Sequence, residues 1–317
     1  MSTCRPRRRV LLACAAALAA GGCATLDAPQ TQALLARPAG LPASAERREV
    51  PFFPQTPHHC GPAALATVLT HAGFGADVDT LAAQVFLPAR QGTLQTEMLA
   101  GARRAGALAV RLPGTLDALL QEAVDGHPPV VLLNLGLSWL PRWHYAVVVG
   151  HDLPAGELVL RSGATQRARF PLQTFERTWA RAGHWAFVVV PPGELPRTAS
   201  EADVHQAALG FERSAAPAEA ARAWQSVVDR WPGSLVARMG QGNALHAAGR
   251  LHEAARAFEQ AAQQHDSAAA WNNLALTLHA LGDTAAAHAA AQRAVARAHA
   301  AEPSMLQTVL QTQGQMR

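Results

Sequence analysis

Residues that recur every 33 to 34 positions set the strongest limit on how the carboxyl-terminal half of this chain can fold. Two apolar series and one pair of glycines follow this interval: Ala220, Ala254 and Ala287; Trp224, Phe258 and Ala291; Gly249 and Gly282. A repeat of this length predicts stacked helical hairpins, because one hairpin is too small to bury its apolar face alone. A plain helical bundle with coincidental alanine spacing is the alternative.

The repeat resembles tetratricopeptide repeats, helix-turn-helix units that stack into an all-α solenoid. Trp271-Asn272-Asn273-Leu274-Ala275 begins one unit, and Pro232 closes another. We expect about three units over residues 203–300, the first of them incomplete, and a tail over residues 301–317. The resemblance implies a concave surface that takes a protein partner.

The first 22 residues have the features of a secretion signal. A basic segment through Arg9 precedes an apolar run over residues 10–20, which is shorter than the roughly 20 residues that span a bilayer. Gly21-Gly22-Cys23 then resembles the lipobox of bacterial lipoproteins, although Ala20 stands where that motif usually has Leu. We expect cleavage before Cys23 and membrane attachment through lipid on Cys23. An ordinary secretory signal or an uncleaved anchor is the alternative.

The residues from Cys23 onward indicate which membrane the protein is attached to and whether the segment before the first domain is flexible. Ala24 replaces the Asp that usually retains lipoproteins at the inner membrane, so resemblance to sorted lipoproteins predicts the outer membrane, facing the periplasm. Residues 23–49 are polar, rich in alanine and proline, and without a period, which predicts a flexible tether.

The distribution of charge argues against nucleic-acid binding. The chain has 27 basic and 23 acidic residues and a formal net charge of +4. Four of the basic residues lie in the expected signal peptide: Arg5, Arg7, Arg8 and Arg9. The remainder is formally neutral and has no basic patch, so no nucleic-acid partner is expected.

Residues 50–192 have a mixed pattern of helices and strands. Helical spacing covers Cys60 to Ala72, Val78 to Phe86, Gln95 to Ala105, Leu116 to Val124 and Leu172 to Arg181. Strand patterns follow at Val130 to Asn134, Trp143 to Gly150, Glu157 to Arg161, Arg167 to Phe170 and His184 to Val190. Helices first and an antiparallel sheet second predict an α+β domain.

Cys60 begins a helical pattern that has Pro62 in its first turn, where proline is favoured. The helix dipole stabilises a thiolate at this position, which predicts a nucleophile near neutral pH. Cys60 is also the only thiol of the expected mature chain, because Cys4 and Cys14 leave with the signal and Cys23 carries lipid. A buried core cysteine is the alternative.

His144 opens an apolar strand pattern that runs to Gly150. A histidine at a strand start can lie beside a cysteine at a helix start, and this pair is the minimum for thiol catalysis. Gln55, five residues before Cys60, would donate its amide to the developing oxyanion together with the Cys60 backbone N–H. A histidine that merely packs at a strand end is the alternative.

The run Gln55-x4-Cys60-Gly61-Pro62-Ala63, together with His144-Tyr145, resembles the bacteriocin-processing, double-glycine peptidases, a papain-like cysteine peptidase family. This resemblance covers residues 50–190. It implies that Gln55 is the oxyanion residue, Cys60 the nucleophile and His144 the general base, acting on a peptide or protein substrate.

The third catalytic position departs from that family. The family usually has an Asp that orients the histidine, and aligning residues 158–163 to its strand puts Ser162 there. A serine hydroxyl can accept the imidazole N–H but lacks the stabilising charge, so we expect a weaker orienting effect. Asp152, in a predicted turn, is the less favoured substitute.

A zinc site is the alternative for the histidines around this cysteine. His58, His59, Cys60, His144 and His151 could be drawn as ligands, but adjacent histidines do not easily reach one tetrahedral ion. No zinc-type spacing, phosphate-binding loop or dinucleotide fingerprint occurs, so no metal or cofactor is expected.

The sequence therefore predicts an envelope-anchored cysteine peptidase that hydrolyses peptide bonds through a thioester on Cys60. Two alternatives share the same residues. One is a catalytically silent peptide-binding lipoprotein whose repeats recruit a partner. The other transfers the acyl group of the thioester to an amine instead of water.

Overall fold

The computed structural model describes residues 27–38, 40–55 and 58–316. The expected signal peptide and Cys23 lie outside the described residues. Six α-helices are described before residue 200: α1 Pro29–Ala36, α2 Cys60–His71, α3 Val78–Val85, α4 Gln95–Arg104, α5 Leu116–Asp125 and α6 Leu172–Ala180. The described strands are β1 Ser44–Glu46, β2 Leu108–Arg111, β3 Val130–Asn134, β4 Trp143–Asp152, β5 Glu157–Ser162, β6 Thr165–Pro171 and β7 Ala186–Val190.

These strands form one antiparallel sheet in the order β2-β7-β3-β4-β5-β6. The short β1 pairs with the last three residues of β4. The sheet, with helices before it along the chain, confirms the α+β architecture that the sequence predicts.

Strand β4 lies inside the sheet and is apolar on both faces, because its side chains alternate between two buried clusters. Tyr145, Val147 and Val149 face the cluster that includes α2, whereas Ala146 and Val148 face the other cluster. A ten-residue strand buried in this way holds its first residues in a fixed position. Its amino-terminal end is where the candidate site forms.

Helix α2 packs across β4, β3 and β7 and is buried from Gly61 to Leu69. Its apolar residues point into the cluster on that face of the sheet. The close fit begins at Gly61, where a Cβ would meet the side chain of Thr93 at 2.7 Å. The packing therefore fixes the start of α2, and with it Cys60.

The carboxyl-terminal half is helical, as the repeat predicts. Its helices are α7 Glu201–Glu212, α8 Pro217–Arg230, α9 Leu235–Ala247, α10 Leu251–His265, α11 Ala268–Ala280, α12 Thr284–Ala301 and α13 Leu306–Gln315. The repeated residues Trp224 and Phe258 are buried and lie against glycines of α9: a Cβ at Gly240 would meet Trp224 at 2.4 Å, and one at Gly242 would meet Phe258 at the same distance.

The glycines predicted at the hairpin turns lie at helix ends. Gly249 follows α9 with a φ of 74°, and Gly282 follows α11 with a φ of 81°. This left-handed conformation favours glycine because a Cβ would be strained there. Within the described ranges, no helix is long and apolar enough to span a membrane.

The sheet and the repeat share one buried cluster, since α7 packs against β2 and its Phe211 joins that cluster. The fully buried Glu122 of α5 adds a polar link. Its carboxylate accepts hydrogen bonds from the Thr198 backbone N–H, at 2.6 Å, and from the His127 ring, at 2.9 Å. Glu122 thus holds the segment that leads from the sheet into α7.

Two predicted irregular segments are ordered where the structure describes them. The expectation of a flexible tether is wrong for the described residues before position 50, because α1 packs against the helices α5 and α6 and β1 pairs with β4. The Thr31 backbone N–H donates to the Glu176 carboxylate at 2.7 Å, which anchors α1. The expected tail also contains α13, whose Val309 is buried.

Candidate active site

Cys60 is the first residue of α2, and its side chain is half-buried. Burial raises the pKa of the Cys60 thiol, and the backbone amides of Tyr145, Gly61 and Cys60 itself offset only part of this effect. The sequence predicts a thiolate favoured by the helix dipole, whereas the folded environment favours the neutral thiol. Removal from water outweighs the amide groups at the helix start.

The peptide groups of Tyr145 form the centre of the site. The Val148 N–H points to β3, so by alternation the Tyr145 N–H and C=O point to the β5 side. Because β5 pairs with β4 only from Val147 onward, both Tyr145 groups are free of the ladder. The Tyr145 N–H donates a hydrogen bond to the Cys60 sulfur. The Tyr145 C=O accepts a long hydrogen bond, 3.4 Å, from Gln55 Nε2.

Gln55 is held in place from three directions. Its backbone N–H donates to the Gly163 carbonyl at 3.0 Å, and its side-chain Oε1 accepts from the Gly163 N–H at 2.9 Å. With Nε2 directed at the Tyr145 carbonyl, the orientation of the amide is set by these contacts. The Gln55 amide and the Cys60 sulfur therefore meet at one residue of β4.

His144 lies next to that residue and contacts Ser162. Its Nε2 is 2.8 Å from Ser162 Oγ, and this contact joins the first residues of β4 to the end of β5. Burial, and then the positive charge of Arg142, lowers the pKa of His144. Since Nε2 is engaged, Nδ1 is the ring nitrogen that remains available for proton exchange. The lowered pKa favours the neutral imidazole.

Asp152 lies away from His144, at the other end of β4. They are eight positions apart along the strand, about 25 Å at the usual rise per residue. The Asp152 carboxylate instead accepts from the Ala155 N–H at 3.2 Å and lies 3.7 Å from Arg169. The structure thus brings Ser162, and not Asp152, to the imidazole.

The histidines drawn as zinc ligands are not gathered at the cysteine. His151 is buried at the far end of β4 and contacts the Pro42 carbonyl through Nε2 at 2.8 Å. The His59 ring packs edge-on against Phe86 at 5.1 Å. Across the residues that the structure describes, no group of three His, Cys, Asp or Glu side chains could hold a metal ion.

Sequence reasoning missed the supporting residues of the site. Gly163 holds Gln55, and Thr93 packs against Gly61 while its carbonyl accepts from the Tyr145 hydroxyl at 3.1 Å. Glycine directly after Ser162 was the one available signal, because it marks the turn at which β5 ends. Nothing in the sequence around Thr93 points to Cys60, since the contact forms only on folding.

A second candidate site is a cavity of about 500 Å³ between α8, α9 and α10, which we call the arginine groove. Arg222, Arg238, Arg250 and Arg256 line it, and Glu253 is the acidic residue among the lining side chains. Glu253 forms a two-pronged pair with Arg250, at 2.6 and 2.7 Å. The groove therefore keeps an excess of positive charge.

Comparison with known proteins gives structural likenesses only. No family model and no curated protein matches the sequence. A C39-like peptidase from Bacillus anthracis superposes on 46% of this chain and 97% of its own, with 18% identity and a TM-score of 0.40. A double glycine motif protease from an AMS/PCAT transporter, solved with its leader peptide, covers 46% of this chain and 94% of its own at 19% identity and a TM-score of 0.36.

The helical half has its own neighbours. The TPR2B domain of yeast Sti1, solved in a complex with pHsp70, covers 37% of this chain and 94% of its own, with 15% identity and a TM-score of 0.35. The half that contains the sheet and the helical half thus have separate structural neighbours. At these scores the likeness concerns architecture alone.

Proposed function

We propose that this chain is a cysteine peptidase. Cys60 is the nucleophile, His144 the general base, Gln55 and the Cys60 backbone N–H the oxyanion donors, and Ser162 the residue that positions the imidazole. The supporting observation is that the Cys60 sulfur and the Gln55 amide meet at Tyr145 while Ser162 holds the ring of the adjacent His144.

Each step follows from the neutral resting pair. His144 Nδ1 takes the thiol proton as the sulfur attacks the carbonyl carbon, and the oxyanion accepts hydrogen bonds from Gln55 and the Cys60 N–H. Collapse of the tetrahedral intermediate breaks the C–N bond, and the leaving amine takes the proton from His144. Water then gives a proton to His144 and attacks the thioester, and Cys60 leaves and is reprotonated.

A thiol-directed probe tests the pair directly. We expect Cys60 of the wild-type chain to be alkylated faster near neutral pH than Cys60 of His144→Ala, because the imidazole accepts the proton. His246→Ala, which removes an exposed histidine of α9, is the matched control and keeps the wild-type rate. Equal labelling of all three proteins would leave Cys60 an ordinary thiol and favour a silent peptide-binding protein.

The substrate and the cleavage rule call for an experiment in cells. We expect amino termini of envelope proteins to disappear when Cys60→Ala replaces the wild-type chain, and the lost termini define the bond that is cut. A set of termini that does not depend on Cys60 contradicts the peptidase assignment.

The proposed location is the outer membrane, with lipid on Cys23 as the anchor; the sequence up to and including Ala24 supports it. Cys23→Ser is expected to release the chain from the membrane fraction. Retention of that variant with the membranes contradicts the lipid anchor.

The helical repeat is proposed to bind an acidic segment of a partner protein in the arginine groove. The charge of the groove supports this, as does Arg238, whose Nη1 donates to Gln260 at 2.7 Å while its buried Nε has no partner among the described residues. We expect a fluorescein-labelled hexaglutamate peptide to bind, and Arg238→Gln/Arg256→Gln to weaken it. Arg37→Gln, an exposed arginine outside the groove, is the control; an equal loss there indicates mere charge attraction.

A further inference from the structure

Exposed apolar side chains are concentrated in the loop that joins β3 to β4. Residues 135–143, which we call the apolar loop, contain five of them: Leu135, Leu137, Trp139, Leu140 and Trp143. Trp139 is 78% exposed and Leu140 61%. Apolar surface of this extent on a folded chain marks a place where something binds, because water contact is unfavourable.

The apolar loop is ordered and is held by hydrogen bonds to the end of β3. The buried Asn134 accepts through Oδ1 from the N–H of Gly136, at 2.9 Å, and of Arg142, at 3.0 Å. Its Nδ2 donates to the Leu137 carbonyl at 3.3 Å, and the Leu135 N–H donates to the Arg142 carbonyl at 2.9 Å. The apolar side chains are thus presented without an ordering step on binding.

The position of the loop fixes which part of a substrate can reach it. The loop ends at Trp143, directly before His144. In the proposed reaction His144 gives its proton to the leaving amine, so that amine must lie beside the imidazole. The residues that follow the scissile bond therefore leave the site on the His144 side, where the loop ends.

We propose that the apolar loop binds bulky apolar side chains on the carboxyl-terminal side of the scissile bond. The loop would then select the amine that leaves in acylation and, by the same contacts, any amine that attacks the thioester. The inference rests on the proposed function, because only a Cys60–His144 reaction gives the loop this direction.

The competition between amines and water for an acyl-enzyme tests the loop separately from the formation of the thioester on Cys60. p-Nitrophenyl acetate would acetylate Cys60 with release of p-nitrophenol, and added leucinamide or glycinamide would compete with water for the thioester. The amine nitrogen forms the new C–N bond, its proton passes through His144, and the sulfur leaves. We expect leucinamide to be acetylated at least about fivefold more than glycinamide.

Three variants locate the preference. Trp139→Ser/Leu140→Ser should acetylate both amines equally, whereas Leu209→Ser, an exposed apolar residue of α7, should keep the wild-type ratio and burst. Equal thermal unfolding of the variants shows that the fold is kept. Leu137→Ser, also in the loop, should lower the ratio in the same direction.

The outcomes separate the two proposals. A p-nitrophenol burst with equal acetylation of the two amines, or with a preference that survives in the double variant, overturns the loop proposal and leaves Cys60 a nucleophile. Absence of the burst overturns both. Binding of phosphatidylcholine vesicles through Trp139, without an amine preference, assigns the loop to a bilayer surface and likewise overturns it.

Discussion

Ser162 occupies the position from which a carboxylate would hold the imidazole of His144 more strongly. Its hydroxyl lies 2.8 Å from Nε2 but carries no charge. We expect Ser162→Asp to raise the pKa of His144, opposing the effect of burial, and to speed Cys60 alkylation near neutral pH. Ser162→Ala should slow it about fivefold, the equivalent of one neutral hydrogen bond. The pH profile of alkylation reports both.

A purely structural role for Ser162 predicts something else. In that case both substitutions would change the stability of the fold, and the midpoint of the alkylation profile would stay where it is. An unmoved midpoint in Ser162→Asp therefore contradicts the positioning role.

Stability should depend on pH through the same pair. His144 has a lowered pKa, so its contribution is present above the ordinary imidazole value of about 6.5 and is lost as pH falls below it. Cys60 has a raised pKa, so its contribution is present below the ordinary thiol value of about 8.5 and is lost as pH rises through the raised value. Denaturant unfolding from pH 5 to 10 measures both the loss of stability at low pH, the acid limb, and the loss at high pH, the alkaline limb.

Single substitutions assign these limbs. We expect Cys60→Ala to flatten the alkaline limb and His144→Gln to flatten the acid limb. If each variant keeps the wild-type slope of unfolding free energy against pH, other titrating groups cause the pH dependence.

At the scale of elements, the start of α2 depends on its contact with the loop before α4. Gly61→Ala would place a Cβ 2.7 Å from Thr93, so we expect it to destabilise the chain by about 1–3 kcal/mol and to slow Cys60 alkylation. Gly75→Ala is the matched control, because a Cβ there meets nothing within 4 Å. Equal unfolding midpoints for the two variants contradict this.

Sequence patterns predicted the elements whose stability is local. Helix α2 begins at Cys60 because Pro62 and the apolar spacing favour it there, and β4 begins at Trp143 as predicted. Helix α1 and strand β1 were missed because their partners are distant in sequence: Thr31 bonds Glu176, and Ser44 pairs with Asp152. A polar, proline-rich segment gives no sign of such contacts.

The candidate site likewise has one part that the sequence predicted and one part that it did not. Aligning the end of β5 placed Ser162 at the expected third position, and Ser162 contacts His144. The bonds around Tyr145 could not be foreseen, because they depend on where β5 stops pairing with β4. The roles of these residues stay predictions until the kinetics are measured.

At the scale of the whole molecule, the shared buried cluster predicts that the sheet and the repeat unfold together. Burial raises the pKa of Glu122, but the hydrogen bonds from His127 and Thr198 outweigh it, so the net pKa is lowered. Glu122→Ala removes both bonds and leaves the half-buried donors of His127 and Thr198 unpaired. We expect a loss of about 3 kcal/mol with one transition by fluorescence and circular dichroism.

Glu219→Ala supplies the comparison, since its partner Arg222 is 3.4 Å away in an exposed pair. That loss should stay below about 1 kcal/mol. Two separate transitions in Glu122→Ala would mean that the halves are independent.

The neutral state of Cys60 also affects how the protein survives oxidants. Peroxides and disulfides react with the thiolate, not with the thiol, so a cysteine whose pKa is raised by burial oxidises slowly. Cys60 is the one cysteine in the described part of the chain, so no neighbouring thiol there could rescue it through a disulfide. Burial thus favours the less reactive, protonated form of the proposed nucleophile.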